Sequence, residues 1–241
     1  MKTLCCALLC IASFAAFADN DISKVNSSIH VDAGQAVGDV GSVNGSIHIE
    51  DGATAEDVGT VNGSINIGDR ATVKKVNTVN GGIHLGEQCK AAEIETVNGT
   101  LRVGAGSQVA SGVSAVNGSI TLAKGANVAG RLENVNGKMS LEAAHVGGGL
   151  ETTNGDIDVG AGSRIEGGIL VEKPHGNWFG KRKTPTIVIG PDAIVEGELK
   201  FEQPVELYVS NRARIGTVNG ATAIPFSGDR PTNEKLPAVE R

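Results

Sequence analysis

The chain has 241 residues, a formal net charge of −6 and a sequence pI near 5.4, a mild acidity that argues against a general nucleic-acid-binding surface. Aromatic residues make up only 3% of the chain, which is little for a compact globular core. The 34 glycines show no every-third-residue period, which excludes a collagen-like chain.

Residues 1–18 have the pattern of a secretory signal peptide. Lys2 provides a short basic n-region, residues 4–17 form an apolar segment too short to span a bilayer, and Ala-Phe-Ala at 16–18 is a small-x-small cleavage site. We predict cleavage after this triplet, a periplasmic or secreted mature chain, and no transmembrane segment after cleavage. Cleavage removes three of the four cysteines, so Cys89 has no intramolecular disulfide partner.

An asparagine, usually within Val-Asn-Gly, recurs every 18 or 19 residues, and this fixed period is the signature of a repeat architecture. The eight positions are Asn26, Asn44, Asn62, Asn80, Asn98, Asn117, Asn136 and Asn154. Asn-Gly is a strong turn signal because both residues tolerate positive φ, so we predict one such corner in every coil. Stacked corners would place the asparagine amides about one strand spacing apart, where they can hydrogen-bond as a structural ladder.

Apolar residues mark the sides of each coil. Ile-x-Ile at 65–67 and Ala-x-Val at 71–73 alternate with polar residues, which predicts two short strands that each bury one face. Residues 76–79 are predicted to form a third, bent side, with Val76 and Val79 among its inward residues. The chain is therefore predicted to be an all-β, single-stranded, roughly triangular β-solenoid (β-helix).

The inward frame predicts one solenoid domain over residues 19–220. It runs from Ile29 to Leu207 in about ten coils of about 18 residues, provided that an insertion at about 173–184 is looped out. The remaining residues, 221–241, contain several prolines and break the period, so we expect a disordered or capping tail.

Histidine and cysteine side chains offer reactive chemistry, although each also has a structural explanation. His30 and His48 occupy the same outward position in successive coils, where two imidazoles could share a metal ion or simply form an exposed row. Cys89 falls at the inward position of Ala53 and Ala71, which predicts a buried, inert thiol. We identify no catalytic residues and no cofactor motif in the sequence.

The insertion differs most from the repeat and is the candidate ligand-binding segment. It holds an aromatic pair followed by a basic cluster, namely Trp178, Phe179, Lys181, Arg182 and Lys183. Aromatic rings beside cations suit an anionic surface or a sugar polymer, and insertions in solenoids often lie on the binding face. The alternative is a tolerated loop whose aromatic rings fold back on the rod.

The Val-Asn-Gly-Ser-Ile repeats over about residues 25–220 resemble those of bacterial envelope proteins of the β-strand-repeat, adhesin type. They are more loosely similar to bactofilins, which are polymer-forming β-solenoids. The resemblance implies a right-handed coil and a non-catalytic scaffolding or adhesive role, with self-association or a cell-envelope polymer as the partner.

We therefore predict an exported structural protein of the cell envelope that is not an enzyme. The alternative is an enzyme, either an acyltransferase similar to the hexapeptide-repeat family or another β-helix enzyme that acts on polysaccharide. The six-residue spacing of the inward pairs and Ile-Gly-Pro-Asp at 189–192 are similar to that family. The sequence leaves the ligand and the oligomeric state open.

Overall fold

The computed structural model describes residues 20–174 and 183–231, and within these ranges it contains β-strands and no helix. The strands stack into three parallel sheets, which we call sheets A, B and C, and each sheet follows chain order along the molecule. The all-β solenoid predicted from the repeat is confirmed. The predicted signal peptide lies outside the described residues, as do residues 175–182 of the insertion and residues 232–241 of the tail.

Sheets A and B each contain eleven strands, and sheet C contains seven. The strands of sheet A are Ile22–Lys24, Val40–Asn44, Asp57–Asn62, Lys75–Asn80, Glu93–Asn98, Val113–Asn117, Arg131–Asn136, Gly149–Thr152, Ile169–Val171, Leu199–Phe201 and Val218–Asn219. The strands of sheet B are Ile29–Val31, Ile47–Ile49, Ile65–Ile67, Ile83–Leu85, Leu101–Val103, Ile120–Leu122, Lys138–Leu141, Asp156–Val159, Thr186–Ile189, Glu206–Ser210 and Ala223–Phe226. The strands of sheet C are Lys90–Ala91, Gln108–Val109, Asn127–Val128, His145–Val146, Arg164–Ile165, Ile194–Val195 and Arg214–Ile215.

The structure has about eleven coils, one more than the sequence predicted. The additional strand of sheet B, Ala223–Phe226, pairs in parallel with Glu206–Ser210 and lies beyond the predicted domain boundary at residue 220. Pro225 is compatible with this position because the strand is at the edge of the sheet, where a missing N–H group breaks no ladder.

The core is a continuous column of aliphatic side chains. The first inward position of sheet B is buried in every predicted coil, with at most 1% exposure from Ile29 to Leu207. The second inward position is also buried from Val31 to Ile189, whereas Val209 near the C-terminal end is only partly buried. Sheet C contributes smaller residues, which include Ala91 and Val128.

The third side of the coil differs from the prediction. It is sheet A, and in the strand Lys75–Asn80 the inward residues are Val76 and Thr78, while Val79 lies on the outer face. Strict alternation along an extended strand requires this arrangement, because Val76 and Val79 have opposite parity. The side is therefore a regular strand whose second buried position is polar.

The corner between sheets B and C, which we call the left-handed corner, contains a residue with positive φ in most coils. These residues are Gly34, Gly52, Arg70, Gln88, Gly106, Gly125, Ala143, Gly162 and Asp192. The left-handed turn predicted for the chain is thus present, but it lies at a different corner from the Asn-Gly pairs.

Candidate functional site

The predicted asparagine ladder is present at the corner between sheets A and B, which we call the asparagine corner. Seven side-chain hydrogen bonds connect the eight asparagines, each from a Nδ2 to the Oδ1 of the preceding coil at 2.8–3.0 Å. The side chains are exposed, so each hydrogen bond competes with water. The ladder aligns successive coils and leaves a uniform amide surface along one edge of the rod.

The Asn-Gly pairs use glycine because the coils approach closely, and positive φ is not the general reason. Among the seven stacked corner glycines from Gly45 to Gly155, only Gly137 has a positive φ. A Cβ atom built on Gly81 would overlap the carbonyl oxygen of Gly63 in the preceding coil, and the other corner glycines meet the same obstacle. The predicted explanation of these glycines by turn conformation is therefore wrong.

A second ladder, which the sequence analysis missed, lies inside the same corner. The buried hydroxyl groups of Thr60, Thr78 and Thr96 each donate a hydrogen bond to a corner glycine carbonyl 15 residues earlier, at 3.0–3.1 Å. Asn134 occupies the same position in a later coil, and its Nδ2 donates to Gly118 O at 2.8 Å. These buried bonds hold sheet A against the corner that precedes it.

His30 and His48 are paired across sheet B, as the frame predicted. The His30 ring lies 3.6 Å from a carboxylate oxygen of Asp32 and 3.6 Å from one of Glu50. Over the described ranges, no group of three or more His, Cys, Asp or Glu side chains is arranged to hold a metal ion. The two histidines lie in one row on the outer face of sheet B, where His30 is exposed and His48 is half-buried.

Cys89 is fully buried, and its Sγ donates to Gly68 O at 2.9 Å. Burial raises the pKa of the Cys89 thiol, so the reactive thiolate is disfavoured. Ser107 takes the equivalent position in the next coil and donates to Gly86 O at 2.9 Å. The cysteine thus acts as a small core residue with a hydrogen bond.

The insertion leaves the rod where an asparagine corner would otherwise lie, between the strands Ile169–Val171 and Thr186–Ile189. Of its five predicted binding residues, only Lys183 lies within the described residues, and its Nζ pairs with Asp156 Oδ2. Gln203 of the next coil compensates for the missing corner. Its Nε2 donates to Glu172 O at 2.8 Å and to Thr153 O.

An open groove of about 1280 Å³ follows the outer face of sheet B in the C-terminal coils, and we call it the sheet B groove. Its floor consists of one outward side chain from each of five successive strands, which are in register. These residues are Ser140, Asp158, Val188, Tyr208 and Ile224. Residues 225–227 and 229–231 of the C-terminal segment also line the groove.

Sequence analysis did not find this groove, because the residues of its floor alone come from coils that are up to 84 positions apart, from Ser140 to Ile224. The only available signal was the change in the outward row of sheet B, which reads His, His, Asn, His at the N-terminal end and Val, Tyr, Ile at the other. The described C-terminal end of the insertion precedes the strand Thr186–Ile189, and Thr186 and Val188 of this strand line the groove.

Comparison with family models, with curated proteins and with solved structures gives no match to this chain. In the part of the chain that the structure describes, no helix has the length and apolar character needed to cross a membrane. The functional argument therefore depends on the geometry of the rod and of its surfaces.

Proposed function

We propose that the protein is an exported, non-catalytic structural protein of the bacterial cell envelope with a scaffolding or adhesive role. The observation that carries this proposal is the pair of ladders at the asparagine corner, which connects each coil to the next over most of the rod. A solenoid built in this way has a fixed repeat and long side-chain surfaces, and its stability is close to a sum of neighbour terms. Such a rod is suited to hold a binding surface away from the point at which the protein is attached.

The 173–184 insertion is the proposed contact to an anionic or glycan surface. Lys183 anchors its C-terminal end through Asp156, and Gln203 holds the two coils on either side of it. These contacts support the proposal because they fix the base of the loop while leaving the sheets continuous. Replacement of Trp178, Lys181 and Arg182 by alanine should then weaken surface binding while the thermal unfolding temperature changes little.

The export and scaffolding roles are tested together on the native protein. Cell fractionation with N-terminal sequencing should recover a periplasmic or released chain that begins at Asp19. Size-exclusion chromatography and electron microscopy of that chain should show rods, either single or assembled. Recovery of a cytoplasmic chain that retains Met1 would overturn export, and compact particles without a rod axis would overturn the scaffold.

A second candidate is a β-helix enzyme that acts on polysaccharide, because carboxylates with basic partners lie on one face of sheet B. Lys138 Nζ lies 2.8 Å from Asp158 Oδ2, and Glu206 lines the same groove. Incubation of the protein with polysaccharides should release new reducing ends if this candidate is correct, and Asp158→Asn should abolish the release. If the structural proposal is correct, neither the parent protein nor the Asp158→Asn variant releases reducing ends.

A further inference from the structure

The floor of the sheet B groove combines an apolar half and a polar half. Val188, Tyr208 and Ile224 are adjacent in register, and Ile224 is 47% exposed. Ser140 and Asp158 continue the same row at the other end. With neighbouring strands about 4.8 Å apart, the five side chains extend for about 19 Å along the rod axis.

The main chain of sheet B does not take part in recognition along this floor. The strands from Lys138–Leu141 to Glu206–Ser210 pair with a neighbour on both sides. Along these four strands a peptide therefore cannot add to the sheet as a further strand, because no row of free N–H and C=O groups is available there. Of the strands that form the floor, Ala223–Phe226 is at the edge of the sheet, and its Pro225 has no N–H group to donate. A ligand that lies along the floor is therefore recognised mainly by side chains.

The charges that line the groove are mixed. Among the described residues that line it, the acidic side chains outnumber the basic ones by one: the basic residues are Lys124, Lys138 and Arg230, and the acidic residues are Glu142, Asp158, Glu206 and Asp229. The ion pair of Lys138 with Asp158 further reduces the local field. A polyanion finds no excess of positive charge here, so the groove suits an uncharged ligand.

An uncharged carbohydrate matches a groove that has an apolar half, a polar half and little net charge. A pyranose ring has an apolar C–H face, which can pack against the ring of Tyr208, and a rim of hydroxyl groups, which can hydrogen-bond to Ser140, Thr186 and Glu206. We infer that the sheet B groove binds an uncharged oligosaccharide along the rod axis, with Tyr208 as its stacking platform. None of the described residues of the 173–184 insertion lines this groove, and the two proposals are tested with separate probes.

The chain offers a separate reporter for each site, because it contains one tyrosine, Tyr208, and one tryptophan, Trp178. Fluorotyrosine and fluorotryptophan labelling should each give a single fluorine NMR resonance. The probes are cellohexaose and chitohexaose, which are uncharged, and a galacturonate hexamer, which is anionic. We expect a saturable shift of the Tyr208 resonance with at least one uncharged hexamer and a smaller effect of the galacturonate hexamer.

Calorimetry on variants assigns the binding to the groove. Tyr208→Ala should weaken binding of the uncharged hexamer about tenfold or more, because it removes the stacking surface, whereas Tyr208→Phe should retain most of the affinity. Arg102→Ala is the matched control, since Arg102 is on the same outer face of sheet B but outside the groove, and it should not change the affinity.

Three results would overturn the inference. They are binding of the galacturonate hexamer alone, a shift of the Trp178 resonance without a shift at Tyr208, and the absence of binding by all three hexamers. The second result would assign binding to the insertion instead. None of the three bears on export or on the rod, which are tested separately by fractionation and microscopy.

Discussion

The asparagine corner and the left-handed corner each lead the chain from one sheet to the next, but different physical constraints specify them. At the asparagine corner, glycine is needed because the neighbouring coil lies too close for a side chain, and the residue repeats with almost no variation. At the left-handed corner, a positive φ is needed, yet Arg70, Gln88, Ala143 and Asp192 take it in place of glycine. A steric contact between coils is therefore the stricter constraint on sequence.

The energetics explain this difference. A left-handed conformation costs a non-glycine residue only about 1–2 kcal/mol, which the packing of a whole coil can offset. A Cβ atom that overlaps a backbone carbonyl cannot be accommodated without moving one coil against the next, and that movement would disrupt three sheets at once. Substitutions at the two corners should accordingly differ in the size and the sign of their effect on the free energy of unfolding.

The largest effect is expected for Gly81→Val at the asparagine corner. The new side chain would overlap Gly63 O, so we expect the free energy of unfolding to fall by about 3 kcal/mol or more, measured by urea denaturation. Gly82→Ser is the matched control, because Ser46 and Ser64 occupy the equivalent position in other coils. Its Cβ atom would lie 3.1 Å from Thr100 O, a tight contact but no overlap, so its loss should be much smaller than that of Gly81→Val. Equal unfolding midpoints for both variants would contradict the steric explanation.

Thr78→Val should have the next largest effect. It keeps the buried volume but removes the hydrogen bond from Thr78 Oγ1 to Gly63 O, which should cost about 1–2 kcal/mol in unfolding free energy. The converse change is Asn134→Thr, because the buried Oδ1 of Asn134 has no hydrogen-bond partner among the described residues. Thermal unfolding should show opposite shifts, and a destabilised Asn134→Thr protein would argue against the hydroxyl ladder.

Asn80→Ala removes two bonds of the exposed ladder, one donated to Asn62 and one accepted from Asn98. Because water can replace both partners, we expect a loss of only about 1 kcal/mol. Asn154→Ala, at the end of the ladder, removes one bond and should cost about half as much. A loss for Asn80→Ala that exceeds the Thr78→Val loss would mean that the outer ladder dominates the corner.

The period and the inward aliphatic frame sufficed to predict the solenoid and the asparagine ladder, because both depend on what recurs every 18 residues. The hydroxyl ladder was missed because a pattern of apolar residues places Thr78 outside, although a hydroxyl group with a partner is readily buried. The sheet B groove was missed for another reason. Ile224 lies beyond the predicted end of the solenoid at residue 220, and it comes beside Tyr208 through the strand Ala223–Phe226, which was not predicted.

The smallest effect, a stabilising one, is expected for Ala143→Gly at the left-handed corner. Ala143 has φ of +43°, while Gly125 and Gly162 occupy the same position in the adjacent coils. Glycine relieves the steric cost of this φ but adds conformational entropy to the unfolded chain, so the free energy of unfolding should rise by about 0.5 kcal/mol.

Gly125→Ala is the reverse change, and it should lower the free energy of unfolding by a similar amount. Its φ is +73°, and the space around its Cβ position holds only backbone atoms at 3.8 Å or more. Differential scanning calorimetry of the two variants beside the parent protein should show shifts of opposite sign. If Gly125→Ala were instead as damaging as Gly81→Val, the left-handed corner would also be governed by contact between coils, and the distinction between the two corners would fail.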